Sequence, residues 1–175
     1  MSRSHIEHER KLFKRLLISE GDLDHAGRFA DIILQRNLHG CTDEESKCLH
    51  RGLNVALIVT YSRPFSGNKG SADTASDLPN RYLRDFSDRE RALHSQVLNL
   101  RNRDHAHSDP AGHNVQVTVD DLGTGPIASS ISRNAYVPLP REDTERLRSM
   151  ITTLMGRLLD EHVRIQRALD AGDRF

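Results

Sequence analysis

The chain has 175 residues, and its 25 lysines and arginines are matched by 25 aspartates and glutamates, so the formal net charge is zero. That length suits one domain with its own core and leaves little room for a second. A balanced charge excludes a protein that coats nucleic acid through its overall field, so any polyanion would have to be held by a local set of arginines.

No stretch of about 18 apolar residues occurs, and the opening Met1-Ser2-Arg3-Ser4-His5 lacks the apolar core of a secretory signal. The expectation is a cytoplasmic protein that makes no membrane contact. Cys41 and Cys48, the only cysteines, lie seven positions apart in a geometry unsuited to mutual pairing, and read as free structural thiols in a reducing compartment. Ten histidines with few aromatics are the one compositional oddity, scattered except in a single place.

Ile6, Leu12, Phe13, Leu16 and Leu17 predict an amphipathic helix that ends at the Ser19-Glu20-Gly21 break. Asp22 then caps a second helix carrying Leu23, Ala26, Phe29, Ala30, Ile33 and Leu34, which stops near Asn37 to Gly40. Thr42 with Glu45 has the form of a capping box for a third helix through Leu49, Leu53, Ala56, Leu57 and Thr60, ending before Pro64. Residues 66–80, rich in Gly, Ser, Asn and Asp, read as a mobile surface loop.

Ser87 with Glu90 repeats the capping-box form and opens a fourth helix with the stripe Leu93, Val97 and Leu100. Val115, Val117 and Val119 alternate with polar residues as in a half-buried strand, and residues 127–139 offer a return strand through Ile131 and Tyr136 or Val137. Together they predict a hairpin insertion over 114–139. From Arg141 to Ala171 the spacing of Leu147, Ile151, Leu154, Leu158, Ile165 and Leu169 predicts the longest helix, closed by Gly172. The expected fold is mainly α: one domain over 1–175, an antiparallel bundle of four to five helices with a small β-hairpin insertion.

Candidate chemistry gathers in the run Leu100 to Asp109, LRNRDHAHSD. Continuing the fourth helix's stripe by four and three lands on Asp104 and His107, polar residues at positions that should face protein. A polar group at an apolar register must find a partner or lose roughly 1–3 kcal/mol, and such mismatches gather at functional sites. An arginine fork beside a histidine suits phosphodiester chemistry, because guanidinium grips phosphate oxygens and imidazole moves a proton near neutral pH. The plainer reading is that these side chains satisfy the carbonyls at a helix end. On an ideal helix Arg101 and His107 stand about 120° apart, so a shared ligand requires a loosened helix or a second chain. Ser108-Asp109-Pro110 makes an early helix end plausible.

This run resembles the signature of HEPN domains, the helical ribonuclease superfamily of abortive-infection, toxin and CRISPR-associated proteins, in which arginine and a polar residue precede histidine. Arg101, Asn102 and His107 fill those places, and the Ala-His-Ser-Asp ending looks like the abortive-infection-associated branch. The resemblance implies a metal-independent endoribonuclease that needs no cofactor and acts as a homodimer on RNA. His107 would move the proton, Arg101 would stabilise charge on the scissile phosphate, and Asn102 would orient them; Asp104, His105 and Asp109 are possible support. It also implies phage defence or a toxin–antitoxin setting, with an antitoxin or defence-system partner. Members silenced by nucleotidyltransferase partners carry tyrosine two residues after the histidine; Asp109 stands there instead, so the resemblance does not extend to that regulation. Two other readings stay open: a noncatalytic HEPN interaction or assembly module, and a zinc site from His105, His107, His113 and Asp109.

Overall fold

The computed structural model describes residues 3–66, 75, 77–102, 113–121, 126–134 and 137–168. The described residues are mainly helical: α1 (Arg3–Gln35), α2 (Glu44–Ser62), α3 (Asp88–Leu100) and α4 (Arg141–Ala168). Single helical turns at Leu38–Gly40, Arg63–Phe65 and Asn80–Leu83 join them. Between α3 and α4 lies an antiparallel ladder of β1 (His113–Asp121) and β2 (Pro126–Asn134), with Val117 opposite Ser130.

The first two expected helices are one. Leu12, Leu16, Ser19, Leu23, Ala26, Ala30 and Ile33 are all buried, and their spacing alternates four and three straight through Gly21. A glycine inside a helix costs about 1 kcal/mol, less than the burial of a single large apolar side chain. The continuous stripe therefore overrides the break read at Ser19-Glu20-Gly21, and Ser19 is a core position. The helix ends where Asn37 takes a left-handed conformation (φ 49°), which asparagine tolerates better than most residues.

The cap of α2 is Asp43 rather than Thr42: its carboxylate accepts from the Ser46 N–H at 2.8 Å. The buried face is turned accordingly. His50, Asn54, Leu57, Ile58 and Tyr61 point inward, while Leu49 is exposed. In α3 the expected capping box is present, with Ser87 and Glu90 each accepting from the other's backbone N–H. In α4 the buried set Leu147, Met150, Ile151, Leu154, Leu158 and Ile165 packs on α1 and α3.

Two boundaries move. Residues 66–80, expected as a mobile loop, are anchored where they are described: the Ala75 carbonyl accepts from Arg15 Nε at 3.0 Å, and Leu78 is buried with its N–H donated to the Pro64 carbonyl. The predicted insertion ran to 139, but β2 ends at Asn134 and Leu139 belongs to the core. The Leu139 N–H donates to the buried Asn54 Oδ1 at 3.1 Å, which fastens the chain to α2 before α4 begins.

Candidate functional site

The site is built on the C-terminal end of α3. This helix is held to α2 by a buried polar contact: Tyr61 Oη lies 2.9 Å from His94 Nδ1, and the Phe65 ring stands edge-on to the same imidazole at 4.8 Å between centroids. Burial lowers the His94 pKa and raises that of Tyr61, so both rings are neutral at physiological pH. His94, Val97 and Arg101 follow one another at three and four, and thus share a face of α3.

Arg101 continues that face at the protein's edge. Its backbone remains helical, with its N–H shared between the Val97 and Leu98 carbonyls. At Arg101 and Asn102 the backbone widens into a π-type turn. Such turns occur frequently at functional sites. The half-buried Arg101 donates from Nη1 to Asn102 Oδ1 at 2.9 Å, and Asn102 itself is exposed.

Two of the expected residues are thus brought into contact. Asp104, His105, His107 and Asp109 lie outside the described residues, as do the side chains of the expected strands and the end of the last helix at Leu169 to Gly172. The zinc reading falls on the same stretch. Among the described residues no group of three or more His, Cys, Asp or Glu could hold a metal ion, and Cys41 and Cys48 are free thiols. No described helix is long and apolar enough to cross a membrane.

A second arginine cluster has different chemistry. Arg81, Arg84, Arg157 and Arg164 line one groove with Asp85, Asp160 and Glu161. Arg81 reaches Glu161, Arg157 reaches Asp85, and Arg164 reaches both Glu161 and Glu9 at 2.7 to 3.1 Å. A groove neutralised by its own carboxylates is a poor phosphate clamp.

Sequence reasoning missed a pair of histidines at the other end of the molecule. His39, in the turn after α1, and His50, on α2, meet edge to face with 4.7 Å between ring centroids. A signal for His50 exists: it precedes Leu57 and Ile58 by seven and eight positions and so shares their buried face. The stripe assumed from Leu49 and Leu53 was rotated by one residue and hid it.

No family model, no curated protein and no solved structure matches the chain.

Proposed function

We propose that the chain is a metal-independent endoribonuclease of the HEPN type, working as a homodimer in phage defence or a toxin–antitoxin pair. The observation that carries this reading is the Arg101–Asn102 contact on a widened turn at the end of α3. It pairs the guanidinium with the residue that fills the polar place of the motif. In the finer architecture, the helices form an antiparallel bundle with the hairpin inserted between the motif and α4.

The chemistry follows from the side chains. The RNA's own 2′-hydroxyl attacks the adjacent phosphorus while His107 removes its proton; the P–O5′ bond breaks, and a proton returns to the 5′ oxygen. A 2′,3′-cyclic phosphate and a 5′-hydroxyl result, with no metal involved. Arg101 stabilises the charge that grows on the phosphoryl oxygens, and Asn102 holds the guanidinium in place. A partner protein of the antitoxin or defence type would restrain this activity.

Incubating the purified protein with structured and single-stranded RNA in the presence of chelator tests the reading. Cleavage to cyclic-phosphate ends is expected, falling about a hundredfold or more in His107→Ala and in Arg101→Ala. Absence of cleavage on every RNA would leave the noncatalytic module as the function. A monomer at micromolar concentration by light scattering would overturn the two-chain site.

A further inference from the structure

The two histidines missed by sequence reasoning lie in a pocket for which the ribonuclease reading has no use. The pocket, about 470 Å³, opens between the turn after α1, the first turns of α2 and the segment leading into α4. Its walls are Leu38, Pro138 and Leu139, and its polar lining includes His39 and His50. Lys47, Arg51 and Arg141 also line it, and among the described lining residues there is no carboxylate.

His50 is only 8% exposed, yet its Nε2 is buried without a hydrogen-bond partner. Buried polar atoms in native proteins are nearly always satisfied, and an exception calls for a ligand or another explanation. His39 has Nε2 3.2 Å from Thr144 Oγ1, while its Nδ1 is likewise buried without a hydrogen-bond partner. Two cations of the lining pair with exposed acids outside it, Lys47 with Glu44 and Arg141 with Glu145, both at 2.8 Å, and Arg141 also donates to Asn37 Oδ1 at 2.7 Å. Exposed ion pairs of this kind are weak, so both cations can turn to a more highly charged anion.

We propose that this pocket binds a small organic phosphomonoester, its phosphate held by Lys47, Arg51 and Arg141, its body lying against Val137 and Pro138. A small rotation of the His50 ring would bring its unpartnered Nε2 to the ligand. The volume lies in the range of small-ligand sites. A dianionic phosphate suits three lining cations better than a singly charged carboxylate, because it has more charge and more acceptor oxygens. Burial, and then His39, lower the His50 pKa in the empty pocket. The charged groups around the two rings are Lys47, Arg51 and Glu44 from α2 and Arg141 and Glu145 from α4. A bound phosphate adds negative charge to this set and raises the His50 pKa.

Calorimetric titration with adenosine 5′-monophosphate, inorganic phosphate and adenosine tests the proposal. Saturable one-to-one binding of the nucleotide is expected, with weaker binding of inorganic phosphate and none of adenosine. The double variant Lys47→Glu, Arg51→Glu changes the pocket's rim. It should bind the nucleotide at least about tenfold more weakly, with an unchanged circular-dichroism spectrum. The His50 ring resonances should titrate at higher pH in the complex. Lack of saturable binding by both nucleotide and phosphate at millimolar concentration overturns the proposal, as does equal binding of adenosine or undiminished binding by the double variant. His107→Ala should bind the nucleotide as the parent does. Loss of binding there would move the site to the α3 motif and overturn this one, while leaving the ribonuclease reading to its own test.

Discussion

The two ends of α2 bury a histidine contact to the same depth and with opposite outcomes. At the C-terminal end, His94 is 8% exposed and meets the Tyr61 hydroxyl; at the N-terminal end, His50 is 8% exposed and its Nε2 meets nothing. Equal burial thus carries unequal energetics. The first histidine is part of what holds α3 in place, whereas the second bears a desolvation cost that a ligand can relieve. Burial alone does not separate a structural histidine from one poised for binding; the partner atom does.

Substitutions at each end sharpen the contrast. The largest effect is expected for His94→Ala, which leaves Tyr61 Oη buried without a partner and opens a void against Phe65. A loss of about 2–4 kcal/mol in urea unfolding follows, and a loss under about 1 kcal/mol would show that the hydrogen bond is not structural. Tyr61→Phe keeps the ring and removes only the hydroxyl, so about 1–2 kcal/mol is expected from the same measurement.

Acid comes next. His39, His50 and His94 all have pKa values lowered from the ordinary 6.5, with burial the largest cause in each. Their contribution to stability is therefore complete above the unfolded value and is lost as pH falls below it, since the unfolded chain takes up protons first. Unfolding free energy should decline between about pH 6.5 and pH 5, before carboxylates titrate. A flat profile over that window would contradict the burial of all three. The smallest effect is expected for His50→Leu, which replaces an unsatisfied polar ring by an apolar side chain. Stability within about 1 kcal/mol of the parent distinguishes it from His94→Ala, while the acid decline should be shallower in both variants.

What could be read from the sequence was whatever depended on neighbours in the chain. The Ser87–Glu90 box was legible because both partners lie within one turn, and α4 because Leu147 through Ile165 keep one phase. The single α1 was not, because a glycine is a local signal while Ser19's place in the core is decided by packing on other helices. Asn54 could not be read as a core residue, since the group it satisfies, the Leu139 N–H, is 85 positions away. At the candidate site the Arg101–Asn102 contact joins adjacent residues and was within reach of sequence reasoning. The widened turn beneath it was not, because no residue type specifies a π-type turn as glycine specifies a left-handed one.

The Asn54–Leu139 hydrogen bond has one more consequence. Leu100, at the end of α3, packs against the core, and Leu139 is in the core and bonded to α2, so both ends of the intervening segment are set by the helices. Closing a flexible segment between two fixed ends costs only about 0.6 kcal/mol more for each doubling of its length. Insertions and deletions there would leave the helices undisturbed. In such an arrangement the segment between Leu100 and Leu139 can diversify over generations on a foundation that stays the same.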